Sequence, residues 1–131
     1  MIALIVKPKL RGTNQFEKIL ADLARFTPVI LQGNNPDSLS AEIVELRKRN
    51  SDLTVVACGG DGTFHLALNA LPDLDISLAV VPMGTGNDFA RYLGIGKPSQ
   101  GVAALQNHSP VAMDMGTIEL SDGSVKRFAG I

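Results

Sequence analysis

Leu53-Thr54-Val55-Val56-Ala57-Cys58 runs directly into Gly59-Gly60-Asp61-Gly62-Thr63 and on into Phe64-His65-Leu66-Ala67-Leu68. The first run is continuous, apolar and β-branched, the pattern of a strand buried on both faces of a parallel sheet. The last opens a short helix, Phe64 to Leu71, apolar almost all round and therefore buried. A strand, a glycine turn and a helix in immediate succession form the joint of an alternating α/β fold. The same joint recurs downstream. Ile76 to Val81 is a strand, Pro82-Met83-Gly84-Thr85-Gly86-Asn87-Asp88 a second glycine-rich loop, and a helix begins near Asp88 and stops by Gly94. Pro98 opens one more helix, through about Gln106.

Upstream, Ile2-Ala3-Leu4-Ile5-Val6 and Pro28-Val29-Ile30-Leu31 read as two further short strands. Between them Phe16, Ile19, Leu20, Leu23 and Phe26 recur at helical spacing, with Asn14 and Glu17 as the expected capping pair. After the Gly33-Asn34-Asn35 turn, Pro36 starts a helix with Leu39, Ile43 and Leu46 on one face. Arg47-Lys48-Arg49 closes it at the negative end of its dipole. The expected architecture is a doubly wound, mostly parallel sheet with helices on both faces over residues 1–110. Residues 111–131 change character. Ala112 to Leu120 and Val125 to Ala129 flank Ser121-Asp122-Gly123-Ser124, a β-hairpin read as the start of a second domain. The apolar, strand-like end Phe128-Ala129-Gly130-Ile131 points to a longer parent sequence or a partner strand, and its exposed edge leaves a homo-oligomer open.

The chain has 131 residues, 45% of them hydrophobic and 19% charged, which suits one domain with a buried core. A formal net charge of −1 argues against a nucleic-acid clamp held by bulk charge, and the absence of Trp with a single Tyr, Tyr92, argues against recognition by base stacking. The lone Cys58 excludes a disulfide framework within the chain and a Cys-rich zinc site, and reads as a small hydrophobe at the end of a buried strand. No apolar run reaches the length of a membrane span, and the first residues lack the basic leader of a signal peptide. A cytoplasmic domain is the expectation.

The chemistry is expected beyond the carboxyl ends of the strands, where both glycine loops lie. Glycines let backbone amides approach an anion, and a helix starting after the loop adds the positive end of its dipole. Thr63 and Thr85 offer hydroxyls to phosphate oxygens or cap a helix, and Asn87 and Asp88 order the second loop or reach a nucleotide. Asp61 does not bind phosphate directly at neutral pH, so it is read as a Mg²⁺ partner, a base, or an acceptor for a substrate hydroxyl. One glycine loop is ordinary turn chemistry, but two, each with Thr and Asp, exceed what turns require. Familiar signatures fail on spacing. Gly96-Lys97 is followed by Pro98, with Arg91 where a Walker loop has its first glycine, and the last glycine of a dinucleotide fingerprint is replaced by His65 or Phe89. His65 and Asn69, one helical turn apart, suit a hydrogen-bonded polar stripe better than a metal site.

Taken together, Gly59-Gly60-Asp61-Gly62-Thr63 and Pro82-x-Gly84-Thr85-Gly86-Asn87-Asp88-Phe89-Ala90-Arg91 resemble the diacylglycerol kinase catalytic domain family, which includes sphingosine, ceramide and bacterial lipid kinases. Asn69-Ala70-Leu71 and Val111-Ala112-Met113-Asp114-Met115-Gly116 are similar to further family segments. The resemblance implies an ATP-binding domain that hands the γ-phosphoryl, with Mg²⁺, to the hydroxyl of a lipid at a membrane surface. It places phosphates over Gly59, Gly60, Asp61, Gly62, Thr63, Phe64 and His65, sets Gly84, Thr85, Gly86, Asn87 and Asp88 against the nucleotide, and links Asp61 to metal and catalysis. The chain departs from the family pattern at several points. Lys7-Pro8-Lys9-Leu10-Arg11-Gly12 keeps the family's Pro and Gly but not its Asn, and its three cations either face phosphates or form a solvated loop. Leu66 replaces an acidic residue, and no nucleotide-touching threonine is found near Leu31-Gln32-Gly33. The family's β-rich second domain, which shapes the lipid site, is not in this chain. A nucleotide-binding module without kinase activity of its own is therefore the second reading. A third, a kinase acting on NAD, is disfavoured by Asn87-Asp88-Phe89-Ala90-Arg91.

Overall fold

The structure, a computed structural model, describes residues 1–84, 86–107 and 115–128. Strands β1 (Ile2–Val6), β2 (Pro28–Ile30), β3 (Thr54–Gly59) and β4 (Ser77–Pro82) form a parallel sheet in the order β2-β1-β3-β4. The register sets Val6 beside Cys58 and Gly59 beside Pro82, so the strands finish together along one edge. The chain winds from β1 outward to β2 and returns to lay β3 on the other side of β1. The carboxyl ends of β1 and β3 therefore flank the point where strand order reverses, the crevice in which open α/β sheets hold ligands.

Strand alternation divides the core as expected. Ile2, Leu4, Val6, Val56, Cys58 and Val81 face Phe16 and Ile19 of α2 (Asn14–Asp22), Leu23 at its end, and Val102 and Leu105 of α6 (Pro98–Asn107). Ala3, Ile5, Val55 and Ala57 face Leu39 and Ile43 of α3 (Pro36–Arg49) and Ala67 and Ala70 of α4 (Asp61–Ala70). Helices thus cover both faces, and every residue of β1 is buried. The Cys58 thiol of β3 is buried as well, and burial pushes its pKa up to about 12.

Local chemistry explains the boundaries. Asn35 caps α3, its side chain accepting from Ser38 N at 2.9 Å, and Pro36 occupies the first turn, where its missing N–H leaves nothing unpaired. The expected cap at Asn14 is corrected. Thr13 is the cap, extended at φ −81°, ψ 151°, with Oγ1 accepting from Phe16 N at 3.2 Å, while Asn14 is already helical. Pro8 also starts an unexpected single helical turn, α1 (Pro8–Arg11), in what was read as a loop.

The hairpin of β5 (Gly116–Glu119) and β6 (Val125–Phe128) is antiparallel, with Gly123 at φ +87° in its turn. It docks on α4 through Arg127. Asn69 accepts from Arg127 N at 2.7 Å and donates to Arg127 O at 3.1 Å, as a neighbouring strand would. The Arg127 guanidinium then binds Leu71 O and the Asp73 carboxylate. The expected boundary at 110/111 lies outside the described residues, as do His108, Asp114 and residues 129–131.

Two outcomes follow. Asn69→Ala removes both bonds to the Arg127 backbone, leaving half-buried groups unsatisfied at about 1–3 kcal/mol. Hydrogen exchange of the Arg127 amide is expected to quicken selectively, and unchanged protection contradicts the clasp. A buried thiol with pKa about 12 is protonated at neutral pH, so Cys58 resists alkylation in the folded chain and reacts on denaturation.

Candidate functional site

The two glycine loops meet backbone to backbone. A β-carbon on Gly84 would lie 2.6 Å from Gly60 Cα and 2.9 Å from Gly60 N, so the second loop has no room for a side chain at the crossing, while one on Gly60 would sit tightly at 3.3 Å from Gly84 Cα. Met83 N donates to Gly59 O at 2.9 Å, extending the β3–β4 ladder to the edge of this crossing. Within the second loop Asn87 is left-handed at φ 53°, a conformation that Asn tolerates better than most residues. Its side chain accepts from Gly84 N at 3.1 Å and donates to Gly84 O, closing the loop on itself.

Asp61 joins the loops electrostatically. Its carboxylate accepts from Asp88 N at 3.1 Å and Phe89 N at 3.2 Å, the first amides of α5 (Asp88–Tyr92). A negative group at a helix start satisfies donors that have no intrahelical partner and complements the dipole. Asp61 is also the first residue of α4, so the start of one helix caps the start of the other. Below it the Phe64 and Phe89 rings stack with centroids 4.0 Å apart and planes 19° apart, fastening α4 to α5 in the core. Gly94, at φ +80°, ends the α5 segment, as expected.

The remaining expected site residues take different positions. Gly62 and Gly86 are exposed beside the crossing, and Asp61 Oδ2 lies 3.1 Å from a β-carbon placed on Gly86. Thr63 is 1% exposed. Its Oγ1 has no hydrogen-bond partner among the described residues and lies at the root of the loop, 2.5 Å from where a Gly59 β-carbon would be. Phe64 is buried and its N–H donates to Gly60 O at 3.1 Å, within the helix. His65 is exposed, its ring 5.5 Å from that of Phe64, and its backbone carbonyl accepts from the Asn69 side chain at 2.8 Å. Asp88 is exposed and paired with Arg91. Thr85 lies outside the described residues. Leu66 packs half-buried against the α3 side of the core.

The three cations after β1 separate in role. Arg11 is committed to the scaffold, donating to Val6 O at 3.3 Å, Leu31 O at 3.0 Å and Gln32 Oε1 at 3.3 Å, so it ties together the ends of β1 and β2. Lys9 is exposed. Lys7 Nζ lies 4.0 Å from a β-carbon placed on Gly62, over the first glycine loop. At the end of β2, where no nucleotide-touching threonine is found, the Gln32 and Gly33 amides donate to the Glu42 carboxylate. The Asp61 bonds to α5 and the Asn69 clasp were not foreseen. No local signal marks the first, because the α5 amides lie 27 and 28 residues further along the chain.

Among the described residues no three acidic, histidine or cysteine side chains gather as a metal-binding group. While the carboxylate of neighbouring Asp88 is paired with Arg91, Asp61 offers one at the crossing. Both its oxygens accept amide hydrogens and keep lone pairs free, which fits a Mg²⁺ held mainly by phosphate and water with one protein oxygen.

The sequence model described as diacylglycerol kinase catalytic domain matches residues 3–118. Human diacylglycerol kinase iota is 36% identical over 103 residues, covering 72% of this chain and 9% of that protein. A diacylglycerol kinase of Bacillus subtilis (strain 168) is 51% identical over 53 residues, 39% of this chain and 17% of that one. The crystal structure of a diacylglycerol kinase from Bacillus anthracis str. Sterne superposes with a TM-score of 0.67 at 26% identity, over 97% of this chain and 47% of that chain. The chain thus spans less than half the length of these relatives.

The crossing predicts opposite effects for neighbouring glycines. Gly84→Ala sets a methyl against the Gly60 backbone and is expected to destabilise by about 1–3 kcal/mol. Gly62→Ala meets only the flexible tip of Lys7 and is expected to leave stability unchanged or to raise it by up to about 1 kcal/mol, as a helical alanine does. Denaturant midpoints of the two variants check this, and equal effects contradict the crossing.

Proposed function

The chain belongs to the diacylglycerol kinase catalytic domain family, and from that membership we propose that it is the ATP-binding part of a lipid kinase, which transfers the ATP γ-phosphoryl to a diacylglycerol-like lipid hydroxyl. One observation carries this reading: two glycine loops crossing at Gly60 and Gly84 beside the strand-order switch, with the amino end of α4 opening there. The first amides of α4 have no intrahelical carbonyl partner and favour anionic oxygens. Gly59, Gly60, Gly62 and the start of α4 then hold phosphate, while Gly84, Thr85, Gly86, Asn87 and Asp88 complete the pocket.

Phosphoryl transfer asks mainly for positioning and charge neutralisation. Asp61 meets the first need by fixing both loops, and its remaining lone pairs can orient the acceptor hydroxyl. Asp61 would offer one oxygen to a Mg²⁺ accompanying ATP, and that ion would supply charge neutralisation on the phosphates. The hairpin, read as the start of a second domain, exposes Ile118, Val125 and Phe128, apolar side chains suited to further packing. Among the described residues no helix is long and apolar enough to cross a membrane; the lipid hydroxyl is taken to be met at a membrane surface.

The coverage of relatives favours a second reading, in which this chain binds nucleotide without transferring phosphate by itself. Calorimetric titration with ATP and Mg²⁺, followed by transfer of labelled γ-phosphate to diacylglycerol vesicles, separates the two. Binding at about −5 to −8 kcal/mol is expected, weakened in Asp61→Ala. Labelled lipid supports the kinase reading, binding without label supports the module, and absence of binding by a folded sample overturns both.

A further inference from the structure

We propose that Lys7 is a phosphate-binding residue of this site, supplying the cation that faces the polyphosphate of a nucleoside triphosphate across the first glycine loop; the inference deepens the nucleotide-binding reading and rests on it. Four observations converge. Lys7 directly follows β1, and the first glycine loop follows β3, so the two flank the switch point of the sheet. The Lys7 ammonium stands 4.0 Å from the β-carbon position of Gly62, which sets it over the first turn of α4. Among the described residues no carboxylate lies within ion-pair distance of Lys7, although Asp61 begins the same helix. Its carboxylate is turned instead to the α5 amides, which leaves the ammonium facing the helix start without a counter-ion.

The neighbouring cations sharpen the assignment. Arg11 spends its guanidinium on Val6 O, Leu31 O and Gln32, and so is unavailable. Lys7 stays exposed with an extended backbone at φ −63°, ψ 141°, just before Pro8 turns the chain into α1. At the foot of the same loop, Thr63 Oγ1 is a buried hydroxyl without a partner among the described residues. A cation above the loop, free amides in it and an unsatisfied hydroxyl beneath it form a set that matches an anion with several oxygens.

Calorimetric titrations of the chain with ATP and with inorganic tripolyphosphate test this, using Lys7→Ala, Lys7→Arg and, as a control, Lys9→Ala. Circular dichroism confirms folding of each variant. Lys7→Ala is expected to weaken ATP binding about five- to tenfold and to flatten its salt dependence. Lys7→Arg is expected to retain most of the affinity and Lys9→Ala all of it. Equal ATP affinity in Lys7→Ala and the unaltered chain overturns the Lys7 assignment while the nucleotide reading stands. Lys7-dependent binding of tripolyphosphate without binding of ATP upholds Lys7 and overturns the nucleotide reading. Tripolyphosphate binding that is independent of Lys7, or binding of neither anion, overturns the assignment.

Discussion

The close approach of Gly60 to Gly84 is the constraint on which the site depends. Two loops leave adjacent parallel strands and pass with room for hydrogen atoms alone between their backbones. Such an approach would leave two polar backbones poorly satisfied unless other groups served them. Asn87 returns its side chain to Gly84, and Asp61 reaches across to the amides of α5. The crossing and the two side chains are therefore one unit. Removing the carboxylate leaves the α5 amides uncapped, and adding a methyl at Gly84 forces the loops apart.

The sheet makes this unit possible. Strand ends in register deliver both loops to the same edge, and the return of β3 beside β1 places Lys7 and the first loop on either side of one crevice. Burial of β1 on both faces and the Phe64–Phe89 stack hold the edge rigid, while the polar groups gather on the loops. A chain of net charge −1 thus gathers Lys7, the first amides of α4 and the Asp61 carboxylate at one edge without any general basic character. Electrostatic recognition here is a matter of a few fixed groups in a crevice.

Much of the fold was legible because each element had a simple signal. Continuous β-branched runs marked the parallel strands, helical spacing marked α2 and α3, and glycine loops marked the joints. Short-range choices were harder. Thr13 and Asn14 are both good caps, and only the chain's entry direction decides that Thr13 is extended and Asn14 helical. The single turn at Pro8 is too short to show a period. In the site, the family resemblance located the loops, but the partners of Asp61 lie far along the chain and depend on the crossing itself. The separation of Arg11 from Lys7 was equally hidden, because it turns on which cation finds carbonyl oxygens at the ends of β1 and β2. Asn69 was legible as a polar residue needing a partner, though not that its partner would be the backbone of Arg127.

The central claim is that the crossed loops form one phosphate-binding unit. A crystal structure of the chain with a non-hydrolysable ATP analogue and Mg²⁺ tests it most directly. The account predicts phosphate oxygens at the Gly60 to Thr63 amides, with Gly60 and Gly84 still in contact and Asp61 still bonded to the start of α5. An analogue bound away from this edge, or loops that separate to admit it, would contradict the account.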